Sequence, residues 1–158
     1  MRPQENTDYI LIGTASLFQP DKTIASGPLL VTAKGLYYAN YHTADPYAGT
    51  RKATNIKDAV ADVKEAAADV KAGFAELKTL GEARDRMKQI VAEAASVDQL
   101  HAALDEWASN DSRLLRVPKE SIESVKTGFL AGLQLRLRDG TVHKFRCGKL
   151  KTIATLLA

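Results

Sequence analysis

The sequence predicts an α+β domain in which a bent antiparallel sheet of about seven strands carries an inserted helical hairpin and is closed by a C-terminal helix. Three observations lead there. Strand-like runs crowd both ends of the chain, a helical period of apolar residues fills its middle, and the last ten residues return to helical spacing.

The first zone reads as strands. Tyr9–Phe18 (YILIGTASLF) is rich in β-branched and aromatic residues, and Pro20-Asp21 ends it. Two more runs follow, Leu29–Thr32 and Leu36–Tyr41, separated by Ala33-Lys34-Gly35. Gly35 tolerates a positive φ, so the pair reads as a short-loop hairpin.

From Thr54 to Ser109 the period changes. Ile56, Val60, Val63, Ala67, Val70, Phe74 and Leu77 recur at alternating steps of 4 and 3, an a/d seam sustained for three heptads. Asp58, Asp62, Glu65 and Asp69, with Lys57, Lys64, Lys71 and Lys78, sit off the seam as a solvated face. Gly81 breaks the pattern, and residues 82–95 resume it through Ala83, Met87, Ile90 and Ala94. Ser96 and Gln99 have capping-box spacing, which starts a third, short helix carrying Leu100, Leu104 and Trp107. The seam either packs the first helix on the second within one chain or joins two chains.

The third zone returns to strands. Arg113–Val117 is stopped by Pro118, and Ile122–Thr127 follows after a turn at Lys119–Ser121. Leu133, Leu135 and Leu137 alternate with Gln134, Arg136 and Arg138, a half-buried strand with its charges outward. Asp139-Gly140 marks a hairpin, and burial fixes its register. A two-residue loop leaves Phe145 on the wrong face. A three-residue loop, Arg138-Asp139-Gly140, with Gly140 at the left-handed position, pairs Leu137 with Thr141, Leu135 with His143 and Leu133 with Phe145. That register puts Phe145 and Cys147 on the leucine face. Leu150, Ile153, Leu156 and Leu157 then fall at helical spacing. Gly128-Phe129-Leu130-Ala131-Gly132 reads as a flexible turn.

The chain thus divides into first strands (residues 1–53), a helical insertion (54–112), and the remaining strands with the closing helix (113–158). Their formal charges are +1, −5 and +7, an uneven distribution behind a total of +3. At 158 residues the domain buries a core without staples. The single cysteine, Cys147, excludes an intramolecular disulfide and fits a reducing compartment. The polar opening MRPQENTD shows no secretory signal, and no apolar run nears the roughly 20 residues that span a bilayer, so a soluble cytoplasmic chain is expected.

The order of these motifs resembles a known family. Leu30-Val31-Thr32-Ala33-Lys34-Gly35-Leu36-Tyr37-Tyr38 looks like the leucine-x-threonine, turn, leucine, aromatic hairpin of GRAM and bacterial pleckstrin-homology (PH-like) domains. Val117-Pro118 followed by Ile122-Glu123-Ser124-Val125 resembles that family's proline-started entry into the next strand. Leu135–Phe145 is similar to its last hairpin, and the terminal helix matches in position. The resemblance covers residues 9–42 and 113–158. It implies a seven-stranded bent sheet or barrel capped by the C-terminal helix, and a binding role without catalysis. The helical zone has no counterpart in the plain domain. The segment Gln19–Gly27, where eukaryotic members often hold phosphoinositides, carries only Lys22, so no ligand residues transfer.

Catalytic chemistry finds little footing. His42, His101 and His143 fall in three separate elements, no G-x-S-x-G elbow is present, and Cys147 reads as a buried structural thiol. One cysteine and three scattered histidines do not supply zinc-ligand spacing, and neither G-x-x-x-x-G-K-[ST] nor G-x-G-x-x-G occurs. No catalytic residue, metal or cofactor is expected.

Two functions follow as expectations. The first is a protein-interaction or self-assembly module, a homo-oligomer being one form, working through Ile56, Val60, Val63, Val70, Phe74 and Leu77. The second is peripheral attachment to an anionic lipid surface through Lys126, Arg136, Arg138, Lys144, Arg146, Lys149 and Lys151, expected to gather on the outer face of the last strands and the start of the helix. Each such cation near a charged membrane contributes about 1 kcal/mol. Nucleic acid is disfavoured, because no stacking aromatics interleave with these charges.

Overall fold

The computed structural model describes residues 2–44 and 81–158. Among the described residues, strands β1 (Tyr9–Phe18), β2 (Ile24–Thr32), β3 (Gly35–Ala39) and β4 (His42–Ala44) come first. Helical residues 81–93 (α1) and α2 (Val97–Asn110) follow. Strands β5 (Leu114–Pro118), β6 (Ile122–Thr127), β7 (Gly132–Leu137) and β8 (Val142–Arg146) lead to α3 (Leu150–Leu157). Seven strands make one antiparallel path, β5-β3-β2-β1-β8-β7-β6, and short β4 pairs with β2 off that path. The seam Ile56–Leu77 lies outside the described residues.

Among the described residues four strands precede the helices, not three: β4 is the addition, and β2 begins earlier than expected. Residues 24–27 read as loop, yet they open β2 and pair with the end of β1, residues 24–26 also pairing with β4. Pro28 cannot donate to a ladder, and the register places it opposite a bulge in β1, where Gly13 and Thr14 stand between the Ile12–Leu29 and Ala15–Gly27 pairs. Gly27 is required because a Cβ there would overlap the Ala39 carbonyl oxygen of β3.

Gly35 opens β3 opposite Thr32 with φ +145°, and a side chain there would strike the Val117 carbonyl oxygen. The β7–β8 hairpin adopts the three-residue loop. Leu133 pairs with Phe145 and Leu135 with His143, the Leu137 amide donates to the Thr141 carbonyl at 2.8 Å, and Gly140 has φ +91°.

Two apolar layers cover the sheet. On one face Ile10, Leu29, Val31, Leu36, Tyr38, Leu133, Leu135, Phe145 and Cys147 meet Ile153, Leu156 and Leu157 of α3. Tyr38 sets its ring edge-on to Phe145 at 5.2 Å and donates its hydroxyl to the Ala15 carbonyl at 3.0 Å. On the other face Leu30, Tyr37, Ala39 and Leu114 meet Ala83, Met87 and Ala94, and Leu100, Leu104 and Trp107 of α2. The helical residues 81–110 therefore pack on the sheet, which explains why β3 is buried along its whole length. Gly81 is the first described residue of α1. Arg84 fixes α1 to the β1 bulge, donating Nε–H to the Gly13 carbonyl at 2.9 Å and Nη2–H to Thr14 Oγ1 at 2.7 Å.

Ser96 caps α2, its Oγ accepting from the Gln99 amide at 3.1 Å. The return bond departs from a strict capping box, because Gln99 Oε1 accepts from the Ala95 amide at 3.0 Å, one residue earlier than the cap itself.

Candidate functional site

Among the described residues, α1 and α2 pack on the sheet face opposite α3 over β1, β2, β3 and β5. On β8, β7 and β6 alternation sends Leu133, Leu135 and Phe145 inward, and the residues between them outward. Register lines these up in rows. Phe18 stands opposite Lys144, Lys144 opposite Gln134, and Gln134 opposite Lys126. One row further, Arg146 lies between Ser16 and Gly132. On the other side Arg136 lies between Ser124 and Val142.

Beyond the Lys126 row, β6 and β7 join through a tight turn. The Gly128 amide donates to the Gly132 carbonyl at 2.8 Å, and the Gly132 amide to that of Phe129 at 3.3 Å. The Cys147 amide adds a third bond, to the Ala131 carbonyl at 3.1 Å. Leu130 and Ala131 both sit at φ 58°, a left-handed pair that Asn and Gly ordinarily fill. The segment expected to be a flexible turn is thus a bonded one, with Phe129 93% and Leu130 70% exposed at its tip. Phe18, Lys126, Phe129, Leu130, Lys144 and Arg146 border one shallow concavity of about 460 Å³, and among the described residues no carboxylate lines it. All four large apolar side chains exposed among the described residues, Phe18, Phe129, Leu130 and Val142, lie on this face or its tip.

The seven expected cations divide. Lys126, Lys144 and Arg146 converge on this concavity, and among the described residues no carboxylate pairs with them. Arg136 shares the face but lies 3.7 Å from Glu123. Arg138 does not belong there: it is in the β7–β8 loop and donates Nε–H to the Glu120 carbonyl at 2.9 Å, away from the cluster. Lys149 takes a left-handed backbone at the start of α3 and lies 3.5 Å from Glu5, while Lys151 is on the exposed side of α3. Loop position and competing carboxylates explain the dispersal.

A larger concavity of about 790 Å³ lies between the β2–β3 turn and α2, lined by Lys34, Tyr37, His101, Asp105 and Arg116. Its charges are compensated internally. Lys34 lies 3.1 Å from Asp98 and Arg116 2.9 Å from Asp105, and Tyr37 donates its hydroxyl to Asp105 at 2.8 Å. Burial and that carboxylate push the Tyr37 phenol up to about 12.

Among the described residues the cysteine and the histidines His101 and His143 do not converge. Burial holds the Cys147 thiol up at about 11, which keeps it protonated. His101 and His143, each pushed below its ordinary value by burial, lie in different elements: His101 on α2 beside Tyr37, His143 on β8 beside Phe145. Among the described residues no group of three His, Cys, Asp or Glu side chains is placed to hold a metal, and no helix is long and apolar enough to cross a membrane. No protein-family model, curated protein or solved structure matches the chain.

Proposed function

We propose that this chain is a non-catalytic, PH-like binding module that attaches peripherally to anionic membrane surfaces through the outer face of β6, β7, β8 and β1. The observation that carries the reading is the grouping of Lys126, Lys144 and Arg146 around a concavity that no carboxylate among the described residues lines, beside the exposed ring of Phe18. Cations held by a rigid sheet act together within one Debye length, roughly 8–10 Å at physiological salt, and each contributes about 1 kcal/mol at an anionic bilayer. The PH-like part of the reading is supported by the seven-strand antiparallel path with a terminal helix packed over one face. The non-catalytic part is supported by the protonated, buried thiol and the separated histidines. Assembly through the Ile56–Leu77 seam competes with this reading, but only the membrane reading has a site among the described residues.

Charge reversal tests it. Lys126→Glu with Lys144→Glu is expected to abolish co-sedimentation with vesicles containing phosphatidylserine at physiological salt. Lys22→Glu, in the β1–β2 turn on an exposed residue, is expected to leave it nearly intact. Equal loss from both variants would show a response to net charge alone and overturn the assignment of the face.

A further inference from the structure

The exposure of Phe129 and Leu130 is not explained by folding. Neither joins either core cluster, and the turn they occupy is closed by backbone bonds that any residues supply. Left-handed φ at Leu130 and Ala131 costs of order 1 kcal/mol or more per residue, which Asn or Gly would avoid. The chain thus holds two large apolar side chains in water, one of them, Leu130, on a backbone conformation that disfavours it. Rigidity compounds the point, since three backbone hydrogen bonds, one of them from Cys147 at the end of β8, keep the tip projecting.

We infer that the Phe129-Leu130 tip enters the hydrocarbon boundary of an anionic bilayer while Lys126, Lys144 and Arg146 bind the phosphate layer above it. This inference rests on the membrane-surface reading and specifies how that surface is engaged. The spacing suits the task. Lys126 precedes Phe129 by three residues, at most roughly 10 Å along an extended strand, and Arg146 faces Gly132 at the base of the turn. Interfacial protein segments bury apolar groups about 5–10 Å into the headgroup and acyl boundary, so the tip reaches the acyl chains while the cations remain among phosphates. Three cations, with no carboxylate among the described residues that line the concavity, are the charge complementarity that selects an anionic bilayer. Because the cations are set back from the tip, insertion and charge attraction strengthen one another instead of competing for depth.

The test uses the full chain carrying Phe129→Trp, read against the wild type, whose single tryptophan, Trp107 of α2, is buried in the layer between α2 and the sheet. With vesicles of phosphatidylserine and phosphatidylcholine, the new tryptophan is expected to shift to the blue and to be quenched by lipids brominated on their acyl chains. Neutral phosphatidylcholine vesicles are expected to produce neither effect. In parallel, Phe129→Ser with Leu130→Ser is expected to keep the wild-type urea midpoint and to weaken partitioning into anionic vesicles at least tenfold. Salt-sensitive binding in which the introduced indole stays unquenched and the serine variant partitions as the wild type does would overturn insertion while leaving surface attachment in place. Failure of every form to bind anionic vesicles would overturn both. A fall in the protein's mass in solution on the serine changes would make the tip a contact between copies and would likewise overturn insertion.

Discussion

Arg146 holds its guanidinium carbon 5.5 Å from the centre of the Phe18 ring, across the pairing of β8 with β1. Lys144 stands directly opposite Phe18 in the same pairing, so a partly exposed ring is bracketed by two cations of the neighbouring strand. A cation over an exposed ring contributes roughly 0.5–1 kcal/mol, enough to orient Arg146 without burying its charge.

Arg146→Gln is therefore expected to weaken attachment to anionic vesicles about fivefold, the effect of about 1 kcal/mol for one cation at the surface. The urea midpoint is expected to stay near that of the wild type, because Arg146 is exposed and joins no ion pair among the described residues. Co-sedimentation and urea unfolding measure the two effects separately.

Two glycines contrast steric need with conformational need. Gly27→Ala places a methyl group on the Ala39 carbonyl oxygen and forces β2 and β3 apart. The expected loss lies at or above the top of the roughly 1–3 kcal/mol range for overpacking. Gly140→Ala meets open space, but φ is +91°, so a smaller loss of about 1 kcal/mol is expected from backbone strain alone. Equilibrium unfolding followed by Trp107 fluorescence ranks them, and equal losses would contradict the difference in cause.

Cys147 is buried in the core beside α3, and burial raises its thiol to about 11. At pH 7.5 the thiolate is scarce and shielded, so an aromatic disulfide reagent is expected to react slowly with the native protein and completely in urea. Rapid stoichiometric labelling without denaturant would place the thiol outside the core.

His101 gives the protein a defined response to acid. Tyr37 donates its hydroxyl to Asp105, leaving the phenol oxygen to accept from His101 Nδ1–H at 3.3 Å, while Nε2 is buried without a partner. Protonating Nε2 would place a charged donor where nothing among the described residues accepts from it. Burial, and secondarily Lys34, lower the folded pKa below the ordinary 6.5, against the opposing pull of Asp105 and Asp98. The unfolded chain therefore binds the proton first as pH falls. Stability from this group is whole above about pH 6.5 and declines below it. His143, also lowered by burial, adds a slope of the same sign. Asp111, which hydrogen bonding to Arg113 holds well below its usual range, adds its loss only as pH falls below about 4. The urea midpoint is expected to fall between pH 7.5 and 5.5, and His101→Asn to reduce that fall. An unchanged slope in the variant would remove His101 from the account.

Local patterns carried much of this fold. Alternation of Leu133 and Leu135 with Gln134 and Arg136 leaves only one loop length that buries Phe145, and the hairpin follows it. Ser96 and Gln99 likewise announce the start of α2 because capping acts within four residues. The misses are all non-local. Residues 24–27 become a strand only because β1 bulges opposite Pro28 and the Ala39 carbonyl leaves room for Gly27. The pairing of β3 with β5 spans the whole helical segment and has no sequence signal. At the site, the outward direction of Lys126, Lys144 and Arg146 was legible from strand alternation. Their separation from Arg138 and Lys149 was not, because it depends on a loop conformation and on Glu5. Phe129 and Leu130 passed as turn residues, although two large apolar side chains between glycines, three residues from a lysine, were the available clue.

The most direct test of membrane attachment is co-sedimentation of the wild-type chain with neutral and phosphatidylserine-containing vesicles at low and physiological salt. The account predicts binding to the anionic vesicles alone, weakened as salt rises, because screening shortens the reach of Lys126, Lys144 and Arg146. Absence of binding to anionic vesicles at low salt, or equal binding to neutral ones, would contradict it.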